Sequence, residues 1–205
     1  MATESCFHAG WLLFDGYEPR RENVRSIICG ALLLSVACAG GAAPATESLE
    51  LGPVAGRAEA ILLDSVGRRV GVATFVERED GVSIGVSVTG LPAGKHGLHI
   101  HETGICDAPS FESAGGHFAP DSRQHGSEAA GGPHAGDLPN LDVGEHGTGR
   151  LGTHSDRVTL DDGDNSLLEG DGTALVVHAG PDDYRSQPSG NAGSRIACGV
   201  IEASE

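Results

Sequence analysis

The sequence predicts an all-β fold of short antiparallel strands joined by long irregular loops, and three observations carry that reading. Glycine supplies 32 of the 205 residues, while aromatic residues make up only 4%. From Val82 to Val88 apolar residues alternate without a break against Ser83, Gly85 and Ser87, the period of a strand with one buried face. Turn chemistry such as Asp-Gly and Gly-x-Gly punctuates the chain, and no stretch carries the period of an amphipathic helix. With 39% apolar residues, the chain can bury one ordinary core.

The formal charge of -16, with Lys95 the only lysine, argues against nucleic acid and anionic lipid surfaces as partners, since both reward clustered Lys and Arg. Five cysteines are present. Cys6, Cys29 and Cys38 lie in the N-terminal region, and Cys106 and Cys198 lie in the glycine-rich body. A disulfide in the body would require an oxidising compartment.

Ile27 to Ala37 is an apolar run preceded by Arg20, Arg21 and Arg25. It is too short to span a membrane and suits the hydrophobic region of a signal peptide. Leu34-Ser35-Val36-Ala37-Cys38 resembles a bacterial lipoprotein cleavage site, which would make Cys38 a lipidated membrane tether; ordinary cleavage near Ala42 or Ala43 and a retained structural segment are the alternatives. Residues 1–23, with Trp11, Phe14 and Tyr17, do not read as the start of a signal peptide, and translation is expected to begin at Val24. The expected organisation is a leader over 1–38, a flexible tether over 39–53 and one domain over 54–205.

Within that domain, Ala58 to Leu63 and Val70 to Val76 read as strands joined at Asp64-Ser65-Val66-Gly67-Arg68 in a hairpin. The alternating strand Val82 to Val88 follows. Leu91-Pro92-Ala93-Gly94 turns the chain into the strand Lys95 to His101, where His99 and His101 leave the same face. Glu102 to Asp142 then loses all periodicity. A loop of that length inside a compact domain is expected only where it is functional, and this one holds His117, His125, His134 and Asp137, which could tie it down around a metal. Arg150 to Leu160, Ser166 to Leu168, Ala174 to His178 and Ile196 to Ile201 are the remaining strand candidates.

An all-imidazole donor set suits copper, and three imidazoles with a carboxylate suit tetrahedral zinc. The order and spacing of Gly97-Leu98-His99-Ile100-His101, Ser113-Ala114-Gly115-Gly116-His117-Phe118, His134-Ala135-Gly136-Asp137-Leu138, Val176-Val177-His178 and Gly190-Asn191-Ala192-Gly193-Ser194-Arg195-Ile196-Ala197-Cys198-Gly199 resemble the copper/zinc superoxide dismutases, from about Arg57 to the end. The resemblance implies a Greek-key β-sandwich or flattened barrel of about eight strands. It implies copper on His99, His101, His117 and His178, and zinc on His117, His125, His134 and Asp137, with His117 shared as an imidazolate. It also implies a Cys106–Cys198 disulfide, Asp182 as the carboxylate linking His99 and His125, and Arg195 as the cation that draws superoxide to a redox-cycling copper. Residues 39–205 carry 10 basic against 25 acidic side chains, so a local cation has to outweigh the global field.

The spacing from His101 through Cys106 to His117 looks like the bacterial extracytoplasmic branch, and location in the periplasm or on a membrane facing it is expected. The segment Pro181 to Ser189 lacks the acidic-acidic-x-x-lysine pattern of eukaryotic relatives, and Arg185 is a candidate substitute. The state could be monomer or homodimer. His96 reads as a structural hydrogen-bonding residue, and His8, His146 and His154 as surface residues. The leading function is dismutation of superoxide; the alternative is extracytoplasmic sequestration of copper and zinc on the same fold without appreciable turnover.

Overall fold

The computed structural model describes residues 56–204. The expectations for residues 1–38 and 39–53, lipidation at Cys38 included, lie outside the described residues. The strands are β1 (Arg57–Asp64), β2 (Arg69–Arg78), β3 (Gly81–Thr89), β4 (Gly94–His96), β5 (Leu98–His101), β6 (Leu141–Val143), β7 (Thr148–Ser155), β8 (Ala174–His178), β9 (Arg195–Val200) and β10 (Glu202–Ala203).

β1, β2 and β3 form an antiparallel meander. The β1–β2 turn is set by Asp64, whose Oδ1 accepts from the amides of Val66 at 3.0 Å and Arg68 at 2.9 Å, while Gly67 takes φ +78°, a region open to glycine at little cost. Ala58, Ala60, Leu62, Ala73, Phe75, Val82, Ile84, Val86 and Val88 point into one core and are almost fully buried. β3 then pairs with β7 rather than with β4, the next strand in the chain. That crossing is the Greek-key step.

The sheet runs β4-β6-β7-β3-β2-β1-β9-β8-β5, with β10 added to β1. Its two end strands, β4 and β5, are neighbours in sequence with only Gly97 between them, so a single bent strand nearly closes the barrel. The bend requires glycine there. A Cβ on Gly97 would fall 2.7 Å from the Cβ of Ala192 and 3.2 Å from Cε1 of His99. The Gly97 amide donates to Gly180 O at 2.7 Å, and its carbonyl accepts from the His178 amide at 2.8 Å. His96 occupies the corner, 2% exposed, its ring nitrogens 2.8 Å from His178 O and 2.9 Å from Pro92 O, a structural role as expected.

Ten strand elements replace the expected eight or so because the histidine strand is broken at Gly97, Ile201 separates β10 from β9, and β6 is only three residues long. The strand expected over Arg150–Leu160 ends at Ser155, and Ser166–Leu168 contributes one isolated bridge, Thr159 to Ser166. Val158, Leu160 and Leu167 are buried, so their apolar character reports burial, not pairing. The long loop contains one short 3-10 helix, Glu112–Ala114, and ends where β6 begins.

Candidate metal centre

All four residues of β5 are buried, for two different reasons. Leu98 and Ile100 face the core, whereas His99 and His101 face outward and are covered by the long loop. That loop lies along the outer edge of β5 as an extra strand would. The Ile100 amide donates to Gly136 O at 2.8 Å, Phe118 N to Ile100 O at 2.9 Å and Leu138 N to Leu98 O at 3.2 Å. The resulting bridges place His117 opposite His101 and Asp137 opposite His99. Backbone pairing thus sets side chains from distant parts of the chain against each other.

His99, His101, His117 and His178 offer ring nitrogens within 4.8 Å of one another. In each ring one nitrogen faces an acceptor: His99 Nε2 lies 2.9 Å from Asp182 Oδ2, His101 Nδ1 3.0 Å from Gly115 O, His117 Nδ1 3.0 Å from Asp137 Oδ1 and His178 Nδ1 3.1 Å from Gly193 O. Those acceptors select the tautomer. The opposite nitrogens, His99 Nδ1 and Nε2 of His101, His117 and His178, are buried without a hydrogen-bond partner; among the described residues only Nη1 of Arg78 shares that condition. Burial, aided by mutual repulsion, pushes the pKa of His99 down to about 3, of His101 to about 2 and of His178 to about 4. These three rings are neutral near pH 7, and their bare nitrogens meet the unpartnered Nε2 of His117 in one place. Buried polar atoms are costly when unpaired, and a soft divalent or monovalent cation resolves all four together.

A second set gathers around Oδ1 of Asp137, which lies 3.0 Å from His117 Nδ1, 2.9 Å from His125 Nδ1 and 3.3 Å from His134 Nδ1; His134 Nδ1 is 3.4 Å from His117 Nδ1. A tetrahedral ion with ligands at roughly 2.0–2.1 Å has donor-to-donor edges of about 3.3 Å, and these four separations lie near that length. Proximity also brings His99 to His117, His125 and Asp137, but its Nε2 is committed to Asp182. Burial would raise the Asp137 pKa, yet His117, His125 and the Gly126 amide hold it well below the carboxylate range. Burial opposes charge on His125, and Asp137 and Asp182 outweigh it, pushing its pKa up to about 9.

Asp182 connects the two sets. Its side chain is fully buried, with Oδ2 on His99 and Oδ1 2.9 Å from His125 Nε2. It is held in turn by residues the sequence did not single out. Asn140 accepts from the Asp182 amide at 2.8 Å and donates to its carbonyl at 2.9 Å, the Tyr184 amide donates to Asp182 Oδ1 at 2.7 Å, and the Tyr184 hydroxyl accepts from the Asn140 amide at 2.8 Å. Gln187 brackets the backbone of His125, accepting from its amide and donating to its carbonyl.

Arg195 opens β9. Its Nη1 and Nη2 donate to the carbonyls of Phe111 and Gly115, the latter at 2.6 Å, so His101 and Arg195 share one acceptor. Cys198, three residues on, is bonded to Cys106 with Cα atoms 5.7 Å apart, which ties the loop to the sheet as the resemblance implied. Arg185 is paired with Glu128 at the surface.

An antiparallel barrel carrying two adjoining histidine-rich donor sets is a metal-binding barrel. The comparisons give that class a family. Residues 69–201 match the family described as copper/zinc superoxide dismutase. The chain is 48% identical over 147 residues to superoxide dismutase [Cu-Zn] 2 of Aquifex aeolicus, covering 71% of this chain and 86% of that one, and 35% identical over 181 residues to the superoxide dismutase [Cu-Zn] of Escherichia coli, covering 83% and 96%. The crystal structure of a SOD-like protein from Bacillus subtilis superposes with a TM-score of 0.68 at 38% identity, covering 70% of this chain and 97% of that one. The chain belongs to the copper/zinc superoxide dismutase family. Copper and zinc are the metals its two donor sets suit.

Proposed function

We propose that the chain converts two superoxide ions and two protons into dioxygen and hydrogen peroxide. The observation that most supports this is the convergence of four buried, unpartnered imidazole nitrogens beside an arginine pinned by two carbonyls. In this reading His99, His101, His117 and His178 hold copper, and His117, His125, His134 and Asp137 hold zinc. When bound, copper supplies the one-electron redox chemistry and zinc fixes the shared ring of His117.

The remaining roles belong to the chain itself. Arg195, half-buried and fixed, presents its charge to an incoming monoanion in a protein whose overall field repels one. His117 Nε2 is the nitrogen able to hold a proton between the two half-reactions, because its Nδ1 belongs to the second set. Asp182 keeps Nε2 of both His99 and His125 engaged, so that Nδ1 of each ring is offered as a lone pair.

We further propose an extracytoplasmic location, periplasmic or membrane-anchored through Cys38, with residues 1–38 as leader, 39–53 as tether and 54–205 as the catalytic domain. The Cys106–Cys198 disulfide supports it, since such bonds persist in oxidising compartments. Metal content measured together with superoxide consumption tests the function. Copper and zinc in equal amounts with fast, cyanide-sensitive turnover is the expected result; both metals bound without turnover would decide for sequestration. Arg195→Ala should lower turnover about tenfold and weaken its ionic-strength dependence while leaving metal content intact, and unchanged kinetics would refute its role.

A further inference from the structure

Beside the first donor set, a cleft of about 670 Å³ is lined by Arg195 and its chain neighbours, by Ser65 at the β1–β2 turn, and by Pro109, Ser110 and Glu112 of the long loop. Its lining carries two charges of opposite sign, Arg195 and Glu112. They do not form an ion pair: no contact within 4.0 Å joins them among the described residues. The reason is geometric. Glu112 opens the 3-10 helix Glu112–Ala114, and the carbonyls on either side of that helix, those of Phe111 and Gly115, hold both terminal nitrogens of Arg195. The guanidinium is therefore unable to swing onto the carboxylate. Glu112 is exposed, and its carboxylate accepts none of the side-chain hydrogen bonds among the described residues, so it stands in the cleft as a negative charge that acts on Arg195 through space alone.

We propose that Glu112 is a valence filter at the mouth of this cleft, an inference that rests on the dismutase reading: its carboxylate offsets the attraction of Arg195, and discriminates against dianions in favour of a small monoanion. Coulomb energy is proportional to the charge of the visitor. If Glu112 disfavours a monoanion by a given factor, it disfavours a dianion by about the square of that factor. A fixed guanidinium without such a neighbour would collect divalent oxyanions and be blocked by them.

The test compares the wild type with Glu112→Gln, both loaded with copper and zinc, at constant low ionic strength. Azide, a monoanion, is titrated by its optical signature at copper, and sulfate, a dianion, is titrated as its competitor. In Glu112→Gln azide binding and the rate constant for superoxide should each rise about two- to fivefold, and sulfate binding by about the square of the azide factor; raising the salt to physiological strength should shrink all three gains. Glu112→Asp should retain the wild-type ratio of azide to sulfate affinity. Equal gains for azide and sulfate, or no gain for either, would overturn the filter. If azide and sulfate separate as expected while neither protein consumes superoxide, the filter stands and the dismutase reading falls.

Discussion

The β1–β3 meander and the loop from Glu102 to Asn140 are stabilised by different physics, although both are parts of the same domain. In the meander, hydrophobic burial is spread over many side chains from Ala58 to Val88, and no single residue decides the outcome. The loop buries only a few apolar side chains, Phe111, Ala114, Ala135 and Leu138. It is held at discrete points: the bridges to β5, the Cys106–Cys198 bond, the carbonyl clasp on Arg195 and the hydrogen bonds that reach Asp182. Distributed burial makes a region tolerant of small changes, whereas point anchoring makes it sensitive at the anchors and indifferent elsewhere.

Four experiments break or sharpen that contrast. The largest effect is expected from replacing Cys106 and Cys198 together by serine. The bond spans 92 residues, and its loss should cost about 4–5 kcal/mol in urea unfolding of the metal-free protein. Next, Phe75→Ala in the fully buried centre of β2 should cost about 3–5 kcal/mol while leaving metal content per folded chain unchanged. Asp182→Asn should lower affinity for metal by about 10–100-fold, read by competition with a chelator, without altering hydrogen-exchange protection in β1 to β3. The smallest is Tyr184→Phe, which removes the acceptor of the Asn140 amide and should cost about 1 kcal/mol. A Tyr184→Phe loss confined to the metal-loaded protein would place that hydrogen bond with the metals rather than with the fold.

The two regions also differed in how far the sequence could be read. Alternation located β3 because a half-buried strand writes its pairing into its side chains, and Ala174–His178 emerged with the bounds expected of it. The same signal misled at Val158 and Leu160, where buried residues line the core without a neighbouring strand; the Leu160 amide instead donates to the carboxylate of Glu77. At the site, the histidines and Asp137 that the structure brings close together were legible because imidazole and carboxylate spacing is distinctive. The groups that orient them were not. Gly115, Gly193 and Phe111 act through backbone carbonyls, which carry no residue-specific signature, and Asn140, Tyr184 and Gln187 look like ordinary loop residues until the chain folds them against Asp182 and His125.

The bent strand that nearly closes the barrel at Gly97 has a consequence for solubility. Closure joins β4 to β5, yet the outer hydrogen-bonding edge of β5 is covered by Phe118, Gly136 and Leu138 of the loop, and that cover depends on the same anchors as the metals. A sheet edge stripped of its cover is a template for pairing between molecules. Chelation combined with reduction should therefore turn a highly charged protein into one that self-associates through β5, seen as rising light scattering, while either treatment alone leaves one set of fastenings over the edge.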